Sequence, residues 1–328
     1  MTGSVNITMG IIGFLLLFLL FLATYLIFLL RKRQKLPPGP PQLPLLGSLP
    51  FLNLKKGMLD FVLDPKVTSH PLATVTVLGR NFFLINDLDL AKELFDKEEF
   101  SGKNPPPFVR RHRFPNDVPR GIAATQGHHW TTQRRFSLKS LKDLGFGRKS
   151  LEDSIHFEVE EIIEQCFSSE EDILLGSDFN IPIINILWQI VANKRLSPDS
   201  RKDRELIKLV TDFFSTPAVG MPLPELAYAV LPKSLARLSS VGKRNYGIED
   251  MAKHFSLEVE KRRGFHDPEN PADFIDVYLT ELDKGNDLSV LDLVACIQDF
   301  FMAGTETSST TLKWILLYLT LHQDVQER

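Results

Sequence analysis

Ala303-Gly304-Thr305-Glu306-Thr307-Ser308 lies in the middle of a run, residues 289–322, that contains no proline and no second glycine. The run is apolar on nearly every face, so it predicts one long helix passing through the interior of a mainly helical fold. Its middle breaks the rule for a buried helix. Glycine inside a helix costs about 1 kcal/mol relative to alanine, and an ionisable side chain in apolar surroundings costs more unless it has partners. Ala303 and Gly304 leave a flat patch of backbone that a planar ligand can approach closely. Thr307 lies one turn beyond Ala303, and its hydroxyl can compete for the Ala303 carbonyl, opening a notch for a molecule as small as dioxygen or water. Glu306 would be a proton source reached by solvent on another face. The plainer alternative is that small and hydroxylic residues merely let a neighbouring helix pack closely.

Upstream of this run the periodicity of apolar residues predicts helices over 88–96, 130–141, 151–167, 183–192, 203–214, 246–262 and 272–283. Two short runs rich in Val, Thr and Phe, 73–78 and 81–85, read as strands of a hairpin turning at Gly79-Arg80. The expected class is therefore mainly α with a small β-sheet. Trp130 and Arg134 are four apart and share one helix face. An indole N–H and a guanidinium fork together can grip a carboxylate; a solvated Arg beside a core Trp is the ordinary alternative. His128 and His129 precede them as adjacent residues pointing in different directions, which suits polar residues at a helix start better than a shared metal site.

At the other end of the chain, residues 9–30 carry no charge and are mostly Leu, Phe and Ile. A run of roughly 20 apolar residues is long enough to cross a bilayer as a helix. Arg31, Lys32, Arg33 and Lys35 follow at once, and no Lys or Arg precedes the run, so the expected orientation puts residues 1–8 in the lumen and everything after the anchor in the cytoplasm. Residues 31–50, with Pro37-Pro38-Gly39-Pro40-Pro41, read as a basic and proline-rich hinge that cannot continue the anchor helix. The net charge of −3, from 41 acidic against 38 basic residues, gives no reason to expect a nucleic-acid partner. Two cysteines, Cys166 and Cys296, are too few and too far apart for a disulfide framework or a structural zinc site.

The order of anchor, Pro-Pro-Gly-Pro hinge, strand pair, Trp130-x-x-x-Arg134 helix and long helix with Ala303-Gly304-x-Glu306-Thr307-Ser308 resembles the microsomal cytochrome P450 family over essentially the whole chain. Stretches 127–141, 180–196 and 312–328 look like its family-2-type animal members. The resemblance implies a cytochrome P450 fold, incomplete here, with residues 51–328 as a partial catalytic domain behind the transmembrane helix. It implies that Trp130 and Arg134 bind a haem propionate, that Ala303 and Gly304 lie over the distal haem face, and that Thr307 and Glu306 are the alcohol and acid that handle oxygen and protons. It further implies a monooxygenase on the endoplasmic reticulum membrane, its body facing the cytoplasm. Such an enzyme uses dioxygen, a lipophilic substrate (fatty acid, steroid or xenobiotic) and electrons from an NADPH-cytochrome P450 reductase. A thiolate ligand to the iron favours O–O cleavage.

Two family motifs, Glu-x-x-Arg on a helix later than this long one and the Phe-x-x-Gly-x-x-x-Cys-x-Gly loop of the axial thiolate, do not occur in this sequence; Glu260-x-x-Arg263 lies before the long helix. Neither Cys166 nor Cys296 has a glycine-framed loop, so both read as structural residues, no metal ligand is expected from this chain, and the chain reads as a portion inactive by itself. The competing expectation is a non-catalytic, membrane-anchored binding or regulatory protein. A hydrolase is disfavoured, because no Gly-x-Ser-x-Gly elbow, phosphate loop or His-Glu-x-x-His motif is present.

Overall fold

A computed structural model of the chain describes residue 13, 16–25, 35–52 except 44–45, 62–103 except 78, isolated residues 105, 110, 114 and 116, 118–167, 179–215 except 198, and 240–328 except 287. The chain divides into two compact units, Met1–Phe100 with Val219–Pro222, and Ser101–Ala218 with Leu223–Arg328.

In the first unit, strands β1 (Leu72–Val77) and β2 (Arg80–Ile85) form an antiparallel hairpin with Leu72 opposite Ile85 and Val77 opposite Arg80. β1 is buried along its length while β2 is largely exposed, which fits the β-branched run in the first and the mixed run in the second. The proline-rich segment is not a free spacer where it is described. The Thr74 amide donates to the Pro38 carbonyl at 2.7 Å, and the Ser48 amide donates to the Thr76 carbonyl at 2.6 Å. A side chain at Gly39 would lie 2.0 Å from the Thr74 carbonyl oxygen, so the backbone approach itself requires glycine there. Helix α1 (Leu88–Phe95) follows, capped by Asp87, whose carboxylate accepts from the Leu90 amide.

Half of the expected anchor, residues 9–30, falls outside the described residues. Its described stretch, 16–25, is helical, and Leu16, Leu17, Phe18, Leu19, Leu20 and Phe21 are each more than half exposed. Among the described residues no helix is long and apolar enough to cross a membrane.

The second unit contains α2 (Gly127–Asp143), α3 (Glu152–Phe167), α4 (Asn180–Ala192), α5 (Arg201–Ser215), α6 (Ser240–Arg262), α7 (Phe274–Asp283) and α8 (Val290–Leu321). α5 buries the face its periodicity marked, Leu206, Val210 and Phe213 at spacings of four and three, whereas α3 leaves Ile155, Phe157, Val159 and Ile163 exposed and buries Glu158. α4 starts three residues before the expected 183, because Pro182 sits in the first turn, where its missing N–H has no intrahelical partner to lose. It ends at Asn193 in the left-handed region, φ 47°. The centre of the unit is an aromatic cluster of Trp188 on α4, Phe255 on α6 and Phe301 on α8, with ring centroids 5.1–5.6 Å apart. Such ring pairs add about 0.5–1.5 kcal/mol each beyond the area they bury. Buried charges at the edge of this core are paired. Arg262 bridges Asp273, Asp276 and the Ala192 carbonyl, and buried Glu258 accepts from Lys194 and, at 3.2 Å, from Lys261.

The long helix is present as expected, from its cap at Ser289, whose hydroxyl accepts from the Asp292 amide, to Leu321. Only its first part runs through the interior. Leu293, Ile297 and Phe301 are fully buried, whereas Leu312, Trp314, Ile315, Leu317, Tyr318 and Leu321 are 40–69% exposed. The apolar composition of the second part is real, but no described residue covers it.

Candidate functional site

α8 has 32 residues and is about 48 Å long. Its unusual middle divides by face. On one face Ala303 and Thr307, one turn apart, are both exposed, and the Thr307 hydroxyl donates to the Ala303 carbonyl at 2.6 Å. Thr311 repeats the bond on the Thr307 carbonyl at 2.7 Å. Hydroxyls bonded to the carbonyl one turn back loosen the helix ladder on that face, which is exposed and partly polar. The opposite face packs. A side chain at Gly304 would lie 3.1 and 3.2 Å from the two methyl carbons of Leu187, so glycine here lets α4 approach α8. Ser309 is buried and donates to Asn180 Oδ1 at 2.5 Å; the buried Thr305 hydroxyl has no partner among the described residues. Glu306 sits half-buried between these faces, and its Oε1 accepts from Thr310 at 3.0 Å.

Trp130 and Arg134 stand together on α2, with the guanidinium carbon 5.5 Å from the centre of the indole ring. The indole is half-buried, the guanidinium is exposed, and no carboxylate pairs with Arg134 among the described residues. Stacking on the indole holds the cation in place while leaving its N–H fork free. Between them, buried Gln133 ties α2 to two other helices: its Oε1 accepts from the Tyr278 hydroxyl of α7 at 2.9 Å and from the Cys296 thiol of α8 at 3.6 Å. Cys296 is wholly buried, and desolvation pushes its thiol far above the usual range, with Asp299 adding to the effect. It stays a protonated thiol, a packing residue as its sequence context suggested. Cys166 has a side chain outside the described residues.

Two acids on α8 that sequence reading passed over fix the loop leading into α2. Asp299 Oδ2 accepts from the Ile122 amide at 2.7 Å and the Ala123 amide at 2.9 Å. Gly121, at φ 77°, allows the close approach, since a side chain there would meet Asp299 Oδ2 at 2.4 Å. Asp292 is buried in the first turn of α8, where Arg120 donates to it at 3.3 Å and His129 Nε2 lies 3.0 Å away. His128 and His129 occupy the first turn of α2, and His129 links the starts of two helices. The signal for both acids was their place in an otherwise apolar run. Their partners, more than 160 residues away, could not be read from periodicity.

Among the described residues no cluster of three His, Cys, Asp or Glu side chains could hold a metal ion. The haem expected from the resemblance can be tested against the residues in place. An exposed alanine one turn before an exposed threonine offers an uncluttered wall for a flat group. An unpaired guanidinium held on an indole offers a counter-charge for a carboxylate on its rim. These features fit such a group, and buried Cys296 does not fit the role of its thiolate ligand.

Residues 37–328 match the family described as Cytochrome P450. The chain is 31% identical to cytochrome P450 2B4 of Oryctolagus cuniculus over 327 residues, covering 96% of this chain and 65% of that protein. It is 32% identical to cytochrome P450 2J2 of Homo sapiens over 311 residues, covering 92% and 60%. With cytochrome P450 2L1 of Panulirus argus it shares 30% over 317 residues, covering 92% and 63%. The chain thus spans less than two thirds of the length of the curated relatives it matches. With a match that runs from the proline-rich segment to Arg328 and takes in both the Trp130–Arg134 pair and the Ala303–Thr307 notch, this chain belongs to the cytochrome P450 family.

Proposed function

We propose that this chain supplies the distal wall and one propionate clamp of the haem site in a haem-thiolate monooxygenase. The enzyme would oxidise small lipophilic compounds, of the fatty acid, steroid or xenobiotic class, with dioxygen and electrons from an NADPH-dependent reductase. The observation that carries the reading is the open face of α8, where Thr307 bonds the Ala303 carbonyl beside an exposed alanine. When bound, the haem would supply the redox chemistry of oxygen activation. The chain's own residues would do the rest. Arg134, steadied by Trp130, neutralises a propionate. Ala303 excludes bulk from the distal face, and Gly304 sets the wall by drawing α4 close. Thr307 has a hydroxyl that can release the Ala303 carbonyl and present its proton to a ligand in the notch. Glu306, half-buried and bonded to Thr310, can pass protons from solvent to that hydroxyl. Residues 9–30 would anchor this body in the endoplasmic reticulum membrane with the catalytic part in the cytoplasm, a reading supported by the uncharged run and the basic cluster after it.

Because Cys296 is buried and protonated and Cys166 has no glycine-framed loop, the chain by itself would bind haem without thiolate ligation and would not oxidise substrate. The test is titration of the chain with haemin, then reduction, addition of carbon monoxide and a Soret spectrum. Binding weakened about tenfold by Arg134→Gln, the loss expected for one charge-assisted contact, with no long-wavelength thiolate band, supports the reading. A clear thiolate band would mean that Cys166 or Cys296 reaches the iron, and the assignment of both cysteines would fail.

A further inference from the structure

Lys92, Lys97, Lys194, Lys208, Lys253 and Lys284 each donate to a carboxylate, a partner that favours the charged ammonium. Lys202, the second residue of α5, is placed differently: its amine lies within hydrogen-bond distance of the Lys261 amine on α6. An ammonium has three donors and no acceptor, so two ammonium groups cannot hydrogen-bond to each other. The contact is a hydrogen bond only when one partner is a neutral amine that offers its lone pair.

The surroundings decide which partner that is. Lys261 also donates to buried Glu258 at 3.2 Å, while Lys194 donates to the other oxygen of the same carboxylate, so Lys261 is held in its charged form. Lys202 stands at the positive end of the α5 dipole, where a cation is disfavoured. The other groups that act on it are Glu258 and His254 from α6 and Asp203 from its own helix. The Asp203 carboxylate accepts from the Ser197 amide at 3.1 Å, and burial keeps the His254 imidazole below its usual range, neutral at about pH 7. Along α5 and α6 every side chain within two turns of this contact is described. The hydrogen bond from Lys261, and then burial, hold the Lys202 amine below the ordinary lysine range. Lys202 is nevertheless exposed, so a reagent can reach it.

We propose that Lys202 is a nucleophilic amine and a site of acylation by acyl thioesters. Lys202 Nζ attacks the thioester carbonyl carbon, the C–N bond forms as the C–S bond breaks, and the departing thiolate takes the proton that the amine gives up. The products are an amide on Lys202 and a thiol, with no change of oxidation state. The amide is neutral, and its oxygen can accept from Lys261, so acylation replaces a contact between two basic groups with a charge-assisted hydrogen bond. That outcome favours an acyl donor over an aldehyde, whose imine would carry a basic nitrogen back beside Lys261. The proposal rests on α5 and α6 alone and is independent of the haem site.

The test treats the full chain, in phosphate-free buffer, with S-acetyl-N-acetylcysteamine, an uncharged acyl thioester, and follows acetylation of each lysine with time by peptide mass spectrometry. Lys208 is the internal reference, on the same helix and bonded to Asp212 at 2.7 Å. At about pH 7.5 Lys202 should react at least about threefold faster than Lys208, because only the neutral amine is a nucleophile, and its rate should level off at lower pH. Lys261→Gln, with unchanged circular dichroism, should bring Lys202 down to the rate of Lys208. Lys261→Arg, which keeps a cationic donor, should retain most of the advantage. Glu258 keeps Lys194 and Arg262 beside it in both variants. Equal rates at Lys202 and Lys208 across the pH range, or an advantage of Lys202 that survives Lys261→Gln, would overturn the proposal. Faster acetylation at Lys261 than at Lys202 would put the neutral amine on α6 and overturn the assignment. If Lys261→Gln does not fold, the two pH profiles in the parent chain decide: a lower midpoint for Lys202 supports the proposal, and coincident midpoints overturn it.

Discussion

The two ends of α8 have similar composition and opposite surroundings. Over 293–301 the helix is sealed by rings from α4 and α6, and Phe301 has no exposed surface; over 312–321 the same kind of side chains face outward, with Trp314 at 66% exposure. Apolar periodicity specifies that a helix forms and which faces seek cover. It does not specify that cover is supplied by the neighbouring hundred residues. The middle of the helix is the transition, with a packed face at Gly304, Thr305 and Ser309 and an open one at Ala303 and Thr307.

The contrast breaks most directly with a pair of truncations. Phe301→Ala should cost about 3–5 kcal/mol, because the cavity left between Trp188 and Phe255 cannot collapse fully, while Trp314→Ala should stay within about 0.5 kcal/mol. Urea unfolding of both variants measures the difference, and equal losses would mean that the second part of the helix is covered after all.

Next in size is Asp299→Ala, which removes the acceptor of two backbone N–H groups and should cost about 2 kcal/mol. Hydrogen exchange should quicken at Ile122 and Ala123 but not at residues 312–321. Faster exchange at 312–321 as well would show that the two ends of α8 are coupled.

The closed end should also respond to pH where the open end does not. Burial pushes the Glu258 carboxyl up, but hydrogen bonds and charge from Lys194 and Lys261 outweigh it and hold its pKa below the ordinary value. A depressed carboxyl stabilises the fold above its unfolded pKa and loses that contribution as pH falls through the folded one. Glu258→Gln should therefore lower stability at about pH 7 by up to about 1 kcal/mol, given that both lysines are half exposed. The gap to the parent chain should close as pH drops below about 4. A gap that stays constant down to pH 3 would show that the charge of Glu258 is not what matters.

The smallest effect belongs to the transition itself. Gly304→Ala gains about 1 kcal/mol of helix propensity and must displace the Leu187 methyls by a few tenths of an ångström. The net change in melting free energy should be within about 0.5 kcal/mol. Gly304→Val, which cannot be absorbed by the end of a flexible side chain, should cost clearly more.

Much of this architecture was legible in the sequence because it is local. The strand pair, the seven helices upstream of residue 289 and the extent of α8 follow from periodicity and from punctuation by Pro and Gly. The back-bond from Thr307 to the Ala303 carbonyl is also local, four residues long, and could be anticipated. What could not be read is non-local. Gly304 serves Leu187 on another helix, and Pro38 pairs with a strand rather than standing off as a spacer. Asp299, a plain acid in an apolar run, holds two amides 176 and 177 residues away. A sequence displays a buried acid as a local anomaly and is silent about which loop resolves it.

That last bond has a consequence for how the chain is made. A ribosome adds about 5–20 residues per second, so the Ile122 amide exists for roughly 10–35 s before the carboxylate that will hold it, 177 positions later, has been synthesised. Throughout that interval Gly121 keeps its conformational freedom and the loop into α2 lacks the acceptor that fixes it, so Trp130 and Arg134 take their final places only when the long helix emerges. Assembly order on the ribosome thus makes the clamp on α2 a late event, even though its residues are among the first of the second unit to be translated.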